Sequence, residues 1–202
     1  NTYSGGTTIQ QGTLSARHTQ ALDQGKVTVV TGATLNIDGV TLALPSGLDL
    51  SGIGVGGAGA LTGTGIAAYS GGMTLVADSR VGAAATSDHL TLSGIIAGGT
   101  SKLEKTGAGK VTLSAANTYS GGTTIQQGTL SAKNAQALSQ GNVTVLSGGT
   151  LNLDGVSLSL INGLDLSGSG AGGLGALTGT GTAAYTGGVA LVGDSTMGAA
   201  TT

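Results

Sequence analysis

The sequence has no cysteine, no tryptophan and no phenylalanine, and only one proline and few charged residues. Without cysteine the chain has no disulfide, no thiol chemistry and no cysteine-based zinc site. Its seven Lys and Arg are scattered among nine Asp and Glu, so it lacks the concentrated basic surface that binds nucleic acids or anionic lipids. We therefore expect no nucleic-acid partner.

Long apolar runs are also missing. No run of eighteen apolar residues occurs, and the first residues do not combine a charged segment with an apolar one. We therefore expect no membrane insertion by this chain and no signal peptide within it. If the protein is secreted, we expect the chain to be an internal piece of a longer mature protein.

What the sequence does contain is glycine and a long internal repeat. Gly accounts for 41 of the 202 residues, yet 39% of the chain is hydrophobic, which distinguishes it from a disordered chain. A shift of 116 positions aligns residues 1–86 with 117–202 without a gap, and about seven positions in ten are identical. We divide the chain into a first repeat unit, 1–116, and a second, truncated unit, 117–202, of one continuous array.

Apolar residues recur at every second position within each unit, which is the period of a β-strand. This pattern predicts that Thr28, Asn36, Thr41 and Asp49 point outward. The residues predicted to point inward, each with its counterpart 116 positions later, are Val27, Val29, Leu35, Leu42, Leu44, Leu48 and Leu50. The segment from Ser15 to Gly25 is the one candidate for a helical turn.

Short strands that end at glycine, in a chain that repeats without a linker, favour an all-β solenoid over a sandwich of separately closed domains. The predicted fold is a parallel β-helix, or β-solenoid, with about 20–25 residues per coil, about nine coils and a length of about 40 Å. Neither end carries a recognisable cap, so we expect the isolated chain to associate end to end or to fray at its terminal coils.

Two glycine-rich stretches, residues 52–57 and 168–173, match the spacing of a dinucleotide-binding loop. That function requires a helix directly after the glycines, and the following residues have no helical pattern. Residues 52–68 also lack the carboxylates of a calcium-binding β-roll. We expect glycine-rich corners here, and neither a cofactor nor a metal.

Three carboxylates recur in both units and are the basis of an enzymatic alternative, cleavage of polysaccharides. The pairs are Asp38/Asp154, Asp49/Asp165 and Asp78/Asp194. No basic residue recurs beside them in the sequence, so we expect no catalytic site. The two histidines, His18 and His89, do not recur either, which leaves a catalytic triad unsupported.

Four tyrosines are the remaining candidates for a binding site. Tyr3, Tyr69, Tyr119 and Tyr185 each lie next to a Gly-Gly pair. Aromatic rings cover neighbouring glycines in many sheets, and this is the favoured interpretation. The alternative is a ladder of rings that stacks against sugars, as in a glycan-binding adhesin.

The phrase NTYSGGTTIQQGTLSA occurs at residues 1–16 and 117–132, and LEKTGAGKVTLSAA precedes its second copy at 103–116. Together they closely resemble the passenger-associated repeat of bacterial autotransporters. The resemblance implies a right-handed parallel β-helix, exported through the outer membrane by a C-terminal β-barrel translocator elsewhere in the parent chain. It also implies an extracellular or cell-surface location, in a family that includes adhesins, autoaggregation factors and some members with an enzymatic domain beside the helix. For this chain we expect a non-enzymatic role as a stalk or adhesive scaffold. The implied partners are like passengers or glycans and proteins of a host or cell surface.

Overall fold

The computed structural model describes residues 1–22 and 24–199, and these residues form strands joined by turns. Two single turns of 3-10 helix, Val55–Gly57 and Ala171–Gly173, are the exceptions. No helix in the described part of the chain is long and apolar enough to cross a membrane. The strands of the first unit are β1 (Thr7–Ile9), β2 (Gly12–Ala16), β3 (Val27–Val29), β4 (Ala33–Asp38), β5 (Thr41–Leu42), β6 (Leu48–Gly52), β7 (Leu61–Thr64), β8 (Ile66–Tyr69), β9 (Met73–Ala83), β10 (His89–Leu92), β11 (Ile96–Ala97), β12 (Leu103–Thr106) and β13 (Lys110–Leu113). Those of the second unit are β14 (Thr123–Ile125), β15 (Gly128–Ala132), β16 (Val143–Val145), β17 (Gly149–Asp154), β18 (Ser157–Gly168), β19 (Leu177–Thr180), β20 (Ala184–Ser195) and β21 (Met197–Ala199).

The strands pair in parallel with strands one coil away, and the step from coil to coil ranges from 19 to 27 residues. Thr7 is the register partner of Val27, Val27 of Leu48 and Leu48 of Met73. A complete coil has three strands, because β3, β4 and β5 pair with β6, β7 and β8 through three separate ladders. The structure is a stack of about nine such coils, which confirms the predicted parallel β-solenoid.

The ladders continue from the first repeat unit into the second. Strand β12 pairs with β14, and β13 pairs with β15, so the boundary between residues 116 and 117 does not interrupt the hydrogen bonding. The strands belong to a thirteen-stranded and an eight-stranded sheet. One apolar core, made mainly of Leu, Val, Ile and Ala, runs along the inside of the stack.

The predicted alternation of inward and outward residues is confirmed. All seven residues predicted to be inside are buried, as are their counterparts Val143, Val145, Leu151, Leu158, Leu160, Leu164 and Leu166. On the outer side Thr41 is exposed, and Thr28, Asn36 and Asp49 are half-buried. Burial of one side of each strand stabilises the stack, because each coil removes the apolar surface of its neighbours from water.

The helical turn predicted for Ser15 to Gly25 is wrong. The described part of this segment ends β2 and then forms a single turn, in which Ala21 N donates to His18 O over 2.9 Å; residue 23 lies outside the described part. The counterpart in the second unit also forms isolated turns, with Ala137 N donating to Asn134 O over 3.0 Å. Burial of Leu138 in the core fixes this loop, and a helix nucleus cannot grow where the chain must return to the next coil so soon.

Candidate functional site

Four residues in or just before the second copy of the repeated phrase are buried or closely packed, and we call this set the repeat corner: Lys105, Asn117 and Tyr119, whose polar side chains are buried, and Gly121, which lies against the preceding coil. Alternation along β12 directs Leu103 and Lys105 to the inside, so a lysine occupies a core position. Its side chain is fully buried. Sequence reasoning missed this residue as an interior group, because a charged side chain is expected outside.

The Lys105 ammonium group bonds to three backbone carbonyls. Its Nζ donates to the oxygens of Thr106 at 3.0 Å, Gly107 at 2.7 Å and Gln127 at 2.7 Å. Gln127 belongs to the next coil, so the side chain joins two coils. Burial lowers the pKa of Lys105 to about 7, whereas the three carbonyls stabilise its charged form.

Asn117 joins three coils through its side chain and is nearly fully buried. Its Oδ1 accepts a hydrogen bond from Ile96 N at 2.8 Å, and its Nδ2 donates to Ala137 O at 2.6 Å. Ile96 lies one coil before it and Ala137 one coil after it. The only sequence signal for this role is that Asn begins both copies of the phrase.

Tyr119 and Gly121 complete the repeat corner. The Tyr119 ring is fully buried, its hydroxyl lies 2.7 Å from Thr123 Oγ1, and burial raises its pKa. Gly121 lies so close to the preceding coil that a Cβ atom there would overlap Thr100 O and lie 2.5 Å from Ser101 O. Only glycine permits this approach of two backbones.

The other three tyrosines predicted as ligand contacts lie in different environments. Tyr69 is buried, Tyr185 is half-buried, and Tyr3 exposes 41% of its surface. The Tyr69 hydroxyl donates to Gly72 O at 2.9 Å, and that of Tyr185 donates to Gly188 O at 3.0 Å, so both rings cover a Gly-Gly corner. Because Tyr69 and Tyr119 present no ring face to solvent, the four rings do not form a surface ladder.

The recurring carboxylates have basic partners that lie too far away in the sequence to be noticed. Asp38 Oδ2 lies 2.7 Å from Arg17 Nε, and its counterpart Asp154 lies 3.5 Å from Lys133 Nζ. No basic residue recurs next to these carboxylates in the sequence, as expected. In the folded chain, however, a basic residue lies beside Asp38 and another beside Asp154, so the expectation was wrong for the three-dimensional structure. Each pair joins adjacent coils on the outer surface.

Three of the four remaining recurring carboxylates, Asp49, Asp165 and Asp78, also bond to other residues of the chain. Asp49 pairs with Lys26 at 2.7 Å, and its counterpart Asp165 accepts from Asn142 Nδ2 at 2.9 Å. Asp78 Oδ1 accepts from the backbone N of Lys102 at 2.8 Å. These three bonds join neighbouring coils.

The glycine-rich stretches each form a single turn of 3-10 helix that folds back over the outer face of a strand, and no α-helix follows them within the described residues. Val55 N donates to Thr34 Oγ1 at 2.9 Å, and that hydroxyl donates to Gly59 O at 2.8 Å. Thr150 makes the equivalent bonds in the second unit. Gly54 has φ +76°, a conformation that favours glycine in this tight loop.

Histidines and acids do not gather into a metal site: within residues 1–22 and 24–199, no group of three or more is placed to hold an ion. His18 Nδ1 accepts from Gln20 N at 3.1 Å in its own turn. His89 Nε2 lies 2.8 Å from Thr112 Oγ1, and burial, together with Lys110 and Lys133, lowers the pKa of His89.

Comparison with known families identifies the repeat. The family described as passenger-associated-transport-repeat matches residues 1–16 and 103–132, less than a quarter of the chain. No curated protein and no solved structure matches the chain. The matched residues include all four members of the repeat corner, among them Lys105 and Asn117, whose side chains join neighbouring coils. These two stretches are therefore similar to the passenger-associated-transport repeat, in agreement with an autotransporter passenger repeat family.

Proposed function

We propose that the chain is part of an autotransporter passenger displayed on the cell surface, where it serves as a structural stalk or adhesive scaffold in adhesion or autoaggregation. The observation that carries this proposal is the match of the passenger repeat to the residues that lock one coil to the next. In this proposal the repeat serves to build length and rigidity, and the chain is not an enzyme.

Hydrogen bonding of the polar side chains to other residues of the chain supports a scaffold role. Within the described residues, every buried side-chain nitrogen or oxygen has a hydrogen-bond partner, so none is left available for a ligand or a reaction. Five of the six recurring carboxylates are engaged by cations, an amide or a backbone N–H of the same chain: Asp38, Asp154, Asp49, Asp165 and Asp78. Nine coils at the spacing of β-strands give a rod about 40 Å long.

The proposed partners are like passengers or surface glycans and proteins.

Surface display tests the proposal. We would place the chain between a signal sequence and a translocator barrel, with an epitope tag at its N-terminal side, and display the tag and the translocator alone as the control. A tag that is sensitive to proteinase on intact cells is expected, because a stalk holds the tag outside. Faster settling of cells and retention on glycan-coated surfaces are expected for an adhesive scaffold.

The possible outcomes separate the parts of the proposal. Failure to reach the surface would contradict the passenger assignment, whereas display without settling or retention would contradict only the adhesive role. Release of products from oligosaccharides by the purified chain would contradict the non-enzymatic role.

A further inference from the structure

Identical residues of the two repeat units do not lie on the same face of the solenoid. Strand β1 occupies the first strand position of a coil, because it pairs with β3 and β3 pairs with β6. Its identical counterpart β14 pairs with β12. Strand β12 pairs with the second half of β9, and that half pairs with β7, which is in the second position.

The next strands show the same displacement. Strand β2 is in the second position, where it pairs with β4. Its counterpart β15 lies in the ladder that runs through β13, β10, β8 and β5, which is the third position. Both strands of the repeated phrase have therefore moved by one strand position between the units.

We infer that each repeat unit is turned by about one third of a revolution about the solenoid axis relative to the unit before it. The physical reason is that 116 residues do not fill a whole number of coils: they fill about five coils and one further strand position, and three positions make a coil. Adjacent coils stack when their inward apolar side chains contact each other, and this contact does not require identical residues to lie in the same column.

The outer surface shows the consequence. In the first unit Asn36 accepts from Thr62 and lies opposite Ser15 in the ladder of the second position. The equivalent set, Ser131, Asn152 and Thr178, is bonded in the same way but is buried and stands above Thr112 and Thr91, in the third position. The two sets therefore lie on sides of the solenoid about 120° apart, one third of a coil.

This orientation limits how a partner can bind, whether or not the chain is adhesive. A rigid partner that recognises the outer surface of one unit cannot contact the same surface of the next unit from the same side. In an array of such units the surface would return to one face after three units, or about sixteen coils, which is about 77 Å. Successive units would thus offer their binding surfaces around the whole circumference.

Disulfide trapping tests the rotation, because the natural chain has no cysteine. Glu104 and Thr124 are register partners on the outer side of adjacent strands, so E104C/T124C places its Cα atoms within the range a disulfide needs. If the units stacked without rotation, Thr124 would instead follow Thr8, Thr28, Asp49, Thr74 and Ala97 in one column. The competing variant is therefore A97C/T124C.

We expect E104C/T124C to lose both thiols under mild oxidation at least about ten times faster than A97C/T124C, in dilute solution and by thiol titration. A97C/T118C is the matched positive control, because Thr118 N donates to Ile96 O across the next ladder. Faster closure of A97C/T124C would overturn the inference. So would failure of E104C/T124C to close in a chain with an unchanged far-UV circular dichroism spectrum.

Discussion

Replacement of Gly121 by alanine tests how the repeat corner holds the coils together. The added Cβ atom would overlap Thr100 O and would lie 2.5 Å from both the carbonyl carbon and the carbonyl oxygen of Ser101. All three are backbone atoms and cannot rotate away as a side chain can. The backbone of Gly121 is not in the left-handed region, so the expected effect comes from crowding alone.

The size of the effect follows from the contact distance. Ordinary contacts of a Cβ atom begin at 3.4 Å, so the two coils would have to separate by about 1 Å. Such a shift lengthens nearby ladder bonds, including the 3.1 Å bond from Leu103 N to Gly122 O. Overpacking against a rigid neighbour costs about 1–3 kcal/mol, and we expect about 3 kcal/mol here. The corresponding fall in Tm is about 6–12 °C for a chain of this size.

Gly5 provides a matched control, because it has the same neighbours in the repeated phrase. A Cβ on Gly5 would meet nothing within 4 Å. Gly5→Ala should therefore change the free energy of unfolding by less than about 0.5 kcal/mol. The measurement is urea and thermal unfolding of both variants, with hydrogen exchange at Leu103 and Thr123. Equal losses in the two variants, or no loss in Gly121→Ala, would refute the argument from crowding.

Other predictions also use residues of the repeat corner. Tyr119→Ala should lower the free energy of unfolding by about 3–5 kcal/mol in urea, because the ring is fully buried, whereas Tyr3→Ala should cost less than about 1 kcal/mol; similar costs would be inconsistent with the burial difference. Asn117→Ala should cost about 2–4 kcal/mol, because it leaves two backbone groups without their buried partner, and an unchanged urea midpoint would contradict this role. Lys105 should make stability depend on pH: its pKa is about 7 in the fold and near its ordinary value of 10.5 when unfolded, so the unfolded chain binds more protons between these values. Stability should thus rise from about pH 7 to about pH 10.5, by at most about 1.4 kcal/mol per pH unit, and change little below about pH 7 on account of this group. Lys105→Met should abolish the rise and the exposed control Lys102→Met should retain it; a rise that persists in Lys105→Met would assign it to another group.

The strand pattern and the fold class could be predicted from the sequence because they depend on local period. Val27, Val29, Leu48 and Leu50 alternate with polar residues, and a strand places every second side chain on the same side. The unbroken repeat then favours stacking over separate closed domains, which the ladder from β12 to β14 bears out.

The repeat corner could be located by its resemblance to a family but not understood from the sequence. Lysine is usually a surface residue. Lys105 is internal because three backbone carbonyls from two coils accept hydrogen bonds from its ammonium group. The pairing of Arg17 with Asp38 was equally invisible, since 21 residues separate the two side chains and only the coil length brings them together.

The sequence by itself determined the alternation of inward and outward side chains, the turns at glycine and the repeat. Each of these properties depends on the order of residues along the chain and not on contacts between distant residues. The tertiary structure alone decided which residues stand above one another. That arrangement depends on the summed length of every strand and loop in a coil, and a difference of a few residues moves a strand to another face. Hence Thr124 lies above Glu104 and not above Ala97. Thr8, which occupies the equivalent position of the first repeat unit, does lie in the same column as Ala97.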